Sequence, residues 1–142
     1  MRVAVWGIGR HAVNKILPAV SAVSGLVLYG VCARNAKSVF TCSEMWKCKG
    51  WTEAASMLCD ASVDIVYVAT PIGLHAEHGK RVLEARKHLW CEKPLTGHLP
   101  DPGRHRRGGL DDYARCARGK THFGSIATDN DRKLVRPEDK AQ

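Results

Sequence analysis

Near the amino terminus, Gly7-Ile8-Gly9-Arg10-His11-Ala12 fits the pattern G-x-G-x-x-G/A. Few short patterns restrict a fold as much, because each small residue answers a separate steric demand. Gly7 permits a tight turn, Gly9 leaves room for a pyrophosphate against the backbone, and Ala12 lets a helix lie close on a strand. The pattern carries meaning only between a strand and a helix. Val3-Ala4-Val5-Trp6 is a short apolar run that stops at glycine, and Val13, Ile16, Leu17 and Val20 follow at helical spacing. Pro18 is expected to interrupt or bend that helix. The helix start would offer unpaired N–H groups and partial positive charge to an anion. The bland alternative is an ordinary glycine turn.

Beyond the turn, strands and helices alternate. Leu26 to Cys32 reads as a second strand, and Lys47 to Trp51 holds room for a short one. Between them the stretch from Asn35 is ambiguous. Thr52 is placed to cap a helix running to Cys59. Asp64 to Ala69 is almost continuously apolar, as a strand buried on both faces would be. A helix over about Leu74 to Arg86 and a strand over His88 to Glu92 complete the pattern. Such alternation implies right-handed crossovers and an α/β fold with a doubly wound parallel sheet.

A chain of 142 residues, 44% hydrophobic, is long enough for one domain with a sizeable core. Composition shifts abruptly at Gly97. His98 to Gln142 carries ten basic and seven acidic residues, with Leu99, Leu110, Phe123, Ile126, Leu134 and Val135 as its only Val, Ile, Leu or Phe. The expected organisation is therefore a folded unit over 1–97 and a basic, poorly structured tail over 98–142. A short helix around Leu110 to Ala117 is the most such a tail would form, since ordering costs about 1–2 kcal/mol per residue. Net charge is +8, which suits a phosphorylated cofactor or nucleic acid. Scattered cations and 6% aromatic content argue against nucleic acid. No apolar run approaches the roughly 18 residues of a membrane span, and no secretory signal opens the chain. A cytoplasmic protein is expected, and its six cysteines (Cys32, Cys42, Cys48, Cys59, Cys91 and Cys116) read as reduced and buried.

Dinucleotide sites usually end the second strand with an acid that binds the ribose hydroxyls. Here Ala33-Arg34-Asn35 stands there, with Lys37 close behind. A guanidinium cannot accept those bonds, but its planar fork can clamp a 2′-phosphate. NADP is the expected cofactor, with NAD as the alternative; a solvated Arg34 is the plainer reading. His75 and His78 lie three apart, yet no third ligand stands nearby, so a hydrogen-bonded histidine is expected and no metal.

Two further segments carry a resemblance. Val68-Ala69-Thr70-Pro71 followed by His75, and Glu92-Lys93-Pro94 after a strand, together with the glycine turn, resemble the Gfo/Idh/MocA oxidoreductases in order and spacing over Met1 to Gly97. The resemblance implies an NAD(P)-binding Rossmann domain, normally followed by a larger substrate domain. It places Gly7, Ile8, Gly9, Arg10, Ala33, Arg34, Asn35, Lys37, Thr70, Pro71, His75, Glu92 and Lys93 at the cofactor. It makes Lys93 the catalytic residue that orients the substrate oxygen and helps its proton move, with Pro94, often cis in that family, fixing the loop. A plain surface lysine is the alternative. The implied reaction moves a hydride between nicotinamide and a sugar or polyol carbon, provided a second domain supplies the substrate site.

The family's continuation is missing after Gly97, and the break resembles a reading-frame shift or a truncated gene. The chain alone is therefore expected to bind cofactor weakly, if at all, to turn over no substrate, and to be marginally stable or self-associating. A non-catalytic dinucleotide-sensing module and a non-functional fragment are the rival readings.

Overall fold

Five short segments rich in Val, Ile and aromatic residues become the five strands of one sheet. The computed structural model describes residues 1–93. The strands are β1 (Arg2–Trp6), β2 (Val27–Cys32), β3 (Lys49–Trp51), β4 (Ile65–Val68) and β5 (His88–Cys91). They pair in parallel in the order β3-β2-β1-β4-β5. The order reverses between β1 and β4, which creates the crevice where ligands of such sheets sit.

Burial follows from that order. Val3 to Trp6 of β1 and all of β4 are buried, as expected of central strands covered on both faces. Alternation along β1 splits its side chains between two core layers. Ala4 and Trp6 pack with Met57, Val66, Val68 and Val82 on one face. Val3 and Val5 pack with Ile16, Leu17, Val20, Ile65 and Tyr67 on the other. Each such side chain, fully buried, contributes about 1.5–3 kcal/mol.

The helical segments are α1 (Leu17–Ala22), α2 (Ala36–Trp46), α3 (Ala54–Cys59) and α4 (His75–Glu84). The helix that carries Pro18 is interrupted just before it, as expected. The chain leaves the glycine turn through a π-helical turn, Ala12–Ile16, and the Leu17 N–H bonds the Ala12 carbonyl. The α-helix resumes at Leu17 with the backbone helical throughout, so the interruption takes the form of a π-turn ending two residues before Pro18. The ambiguous stretch after Asn35 is helical because the Asn35 side chain caps it, accepting the Ser38 N–H at 2.9 Å. Thr52 is not a cap. Glu53 holds that position in α3 and makes no side-chain capping bond. A single 3-10 turn, Ile72–Leu74, leads into α4.

Five of the cysteines are described and all are free. Cys32 and Cys42 are buried, but Cys59 is exposed, against the expectation of uniformly buried thiols. Burial pushes the Cys32, Cys48 and Cys91 thiols up to about 11, which suits packing and not nucleophilic chemistry. Cys91 indeed packs against the core. Among the described residues no helix is long and apolar enough to cross a membrane. Pro94, the boundary at Gly97, the 98–142 tail and its Leu110–Ala117 helix lie outside the described residues.

Candidate functional site

Parallel strands bring their carboxyl ends to one edge, and every candidate segment leaves the sheet there. Gly7 to Arg10 follow β1, Ala33 to Lys37 follow β2, Thr70 and Pro71 follow β4, and Glu92 and Lys93 follow β5. Backbone bonds lock these exits together. The Gly7 N–H donates to the Cys32 carbonyl at 2.8 Å, Ala69 N–H to Trp6 at 2.8 Å, and Glu92 N–H to Val68 at 3.0 Å.

The two motif glycines do different work. Gly7 has φ +103°, and a Cβ there would lie 2.6 Å from the Ala69 carbonyl oxygen and 2.8 Å from the Thr70 nitrogen. It therefore allows both the turn and the close approach of the β4 exit. Around Gly9 a Cβ would meet nothing within 4 Å. That open backbone at the head of a helix is the cradle a diphosphate requires, and the residues present fit a dinucleotide. Ala12, buried at 1% exposure, seats the turn on the core.

The β2 exit splits in function. Arg34 is exposed, and its charge is felt by His78 across the edge. Asn35 uses its side-chain oxygen on the α2 cap. Lys37 and Ser38 line one wall of a cleft of about 320 Å³ whose other wall holds Ile8 and Val13. Lys37 thus faces the glycine turn from the neighbouring helix.

The β4 exit is held from beneath by two histidines. His75, buried, donates its Nε2–H to the Thr70 carbonyl at 2.6 Å, and His78 Nδ1 lies 2.9 Å from the Thr70 hydroxyl. His75 thereby supports the loop from below. The His78 ring stacks on Trp6 with centroids 4.0 Å apart, and the Arg81 guanidinium lies over the same indole at 5.2 Å. Burial pulls the His78 pKa below its ordinary value, and the Arg81, His75 and Arg34 charges add to this against Glu77. Three or more His, Cys, Asp or Glu side chains placed to hold a metal do not occur among the described residues.

At the β5 exit, the Tyr67 hydroxyl donates to the Glu92 carboxylate, and His11 Nε2 stands 3.8 Å from Glu92 Oε2. Burial first, then the Glu92 bond and charge, raise the Tyr67 phenol far above its usual range, so it remains a donor. Lys93 follows, exposed at the same edge. Tyr67, His11 and Trp6 were not legible as site residues, and His78 was legible only as one of two closely spaced histidines expected to be hydrogen-bonded. The one available signal was a phenol inside an otherwise aliphatic buried strand, which needs a polar partner.

This edge agrees with the profile of the oxidoreductase family with an NAD-binding Rossmann fold, which matches residues 1–105. The chain belongs to the Gfo/Idh/MocA oxidoreductase family. Gly7, Gly9 and the segments after β4 and β5 lie in its NAD(P)-binding domain. A dTDP-3,4-didehydro-2,6-dideoxy-alpha-D-glucose 3-reductase from Streptomyces violaceoruber is 32% identical over 104 residues, covering 73% of this chain and 30% of that protein. An inositol 2-dehydrogenase from Mycolicibacterium gilvum is 31% identical over 99 residues, covering 68% and 28%. Among solved structures, a 3-ketoreductase from Actinomadura kijaniata in complex with TDP-benzene and NADP aligns with TM-score 0.73 and 30% identity, over 83% of this chain and 35% of that one. The chain thus spans about 30% of the length of the curated relatives it matches.

Proposed function

We propose that the chain is the cofactor-binding domain of an oxidoreductase that moves a hydride between a nicotinamide and a carbinol or carbonyl carbon of a sugar, sugar nucleotide or polyol. The carrying observation is the meeting of the glycine turn, open over Gly9, with the Ala69–Thr70 exit of β4 on the edge that also bears Lys93. The similar proteins, a deoxysugar 3-reductase and an inositol dehydrogenase, support the substrate class.

Gly7, Ile8, Gly9 and Arg10 would hold the diphosphate, the backbone of Ala33 the adenosine side, and Thr70 and Pro71 the nicotinamide side. When bound, the nicotinamide supplies the hydride donor or acceptor. Lys93 then holds the substrate oxygen at Nζ and gives or takes its proton. An ammonium at that position also stabilises alkoxide charge as it develops. Packing of the β4 exit against Gly7 keeps the loop in place and limits water at that end.

NADP is preferred over NAD in this reading. The β2 exit offers no acid to the ribose hydroxyls and offers Arg34, with Lys37 as a helper. One charge-assisted contact to a 2′-phosphate contributes about 1.5–3 kcal/mol, roughly tenfold to a hundredfold in affinity. Fluorescence titration with NADPH and NADH measures the ratio directly. Arg34→Ala should remove most of the preference and leave NADH binding nearly unchanged. Equal affinities in the unmutated chain would assign Arg34 elsewhere.

A further inference from the structure

Glu92 sits where two rigid parts of the molecule converge on one carboxylate. Tyr67, which donates to it, belongs to central strand β4 and is 4% exposed, packed in the same core layer as Val5 and Ala12. His11, 3.8 Å away, directly precedes buried Ala12 at the head of the glycine turn. Tyr67 cannot drift far, because it is anchored in the core, whereas the His11 ring is half exposed and only its backbone is fixed, through Ala12. Glu92 itself is bonded through its backbone N–H to Val68 and is followed at once by Lys93. A single side chain therefore joins the phosphate end of the edge to the residue at its reactive end.

Electrostatics requires such partners. A carboxylate beside a turn built for a diphosphate would repel it, unless donors on the protein side hold and screen its charge. The Tyr67 hydroxyl is placed to do this, and the His11 ring stands beside the same carboxylate. From this geometry we infer that Glu92 is a positioning residue, held by Tyr67 and flanked by His11, through which a dinucleotide bound at the glycine turn fixes Lys93. The inference rests on the NAD(P)-binding reading and adds a coupling between the two ends of the site.

The test uses the full 142-residue chain and NADPH as the probe. Binding is followed by nicotinamide fluorescence. In parallel, amines are acetylated with and without NADPH, and labelling at Lys93 is compared by mass spectrometry with exposed Lys47 and Lys80. In the unmutated chain NADPH should slow Lys93 labelling at least threefold and leave Lys47 and Lys80 unchanged. Glu92→Ala should abolish that selective slowing even at saturating NADPH. Glu92→Gln, which keeps an acceptor for Tyr67, should retain part of it, and Tyr67→Phe should lie between the two. A merely structural role would lower the urea midpoint and leave the NADPH-dependent labelling ratio intact. Saturable NADPH binding with equal Lys93 protection in the unmutated, Glu92→Ala and Glu92→Gln chains would overturn the bridge and leave the cofactor reading standing. Absence of NADPH binding in the unmutated chain would overturn both.

Discussion

Gly7 and Gly9 stand two residues apart in one motif, yet they answer to different constraints. At Gly7 a methyl group would enter backbone atoms of Ala69 and Thr70, at a φ that side-chain-bearing residues rarely adopt. The clash cannot be relieved by a rotamer change, because its partners are main chain. Gly7→Ala should therefore destabilise the fold by more than about 2 kcal/mol. At Gly9 the same methyl group meets open space. Gly9→Ala should leave stability within about 0.5 kcal/mol of the parent, while NADPH affinity falls at least about tenfold as the cradle fills. Urea unfolding paired with NADPH titration separates the two effects. Comparable unfolding losses for both variants would show that Gly9 serves the fold and not a ligand. The turn was readable from residue type alone, since only glycine meets these demands. Glu92's engagement by Tyr67 and His11 was not, because those three residues come from separate segments and meet only once the sheet has formed.

At the scale of elements, the joint between the β4 exit and α4 rests on two histidines that meet Thr70. His78 bonds the Thr70 hydroxyl and stacks on Trp6, and burial holds its pKa below the ordinary 6.5. Because the folded value is depressed, the unfolded chain binds a proton first as pH falls. Stability from this group is then complete above pH 6.5 and declines as pH drops below it, until the folded pKa is reached. Nearby Arg34 and Arg81 sharpen this, since a charged ring there meets like charge. Urea midpoints measured between neutral and mildly acid pH should show the decline. His78→Phe, which keeps a ring on Trp6 and has nothing to titrate, should flatten it; an unchanged slope would place the acid sensitivity elsewhere. Strand positions were legible because buried parallel strands are nearly continuous in apolar residues, as in Ile65 to Val68. Helix boundaries were less so. The cap at Asn35 sat inside a stretch of mixed pattern, and Pro18 marked the interruption of its helix without showing that it takes the form of a π-helical turn before Leu17.

For the molecule as a whole, the sheet order leaves β5 with β4 on one side and, among the described residues, no strand on the other. Hydrogen bonds show which groups face out. His88 N–H donates to Asp64 and Glu92 N–H to Val68, both toward β4. Alternation along a strand then turns the N–H groups of Leu89 and Cys91 to the free edge. Among the described residues, nothing on this edge resembles the proline, bulge or inward charge that usually discourages pairing. Leu89 is buried, and Trp90 and Cys91 are apolar and half-buried, so a further strand would cover their remaining surface. The chain should therefore self-associate through β5, with a sedimentation coefficient that rises with concentration. Cys91→Pro removes an outward donor without touching a bond to β4, a substitution an edge strand tolerates. It should weaken association while the far-ultraviolet spectrum and NADPH binding stay native. A parent chain that remains monomeric at every concentration, or a variant that associates as strongly as the parent, would move the contact away from β5.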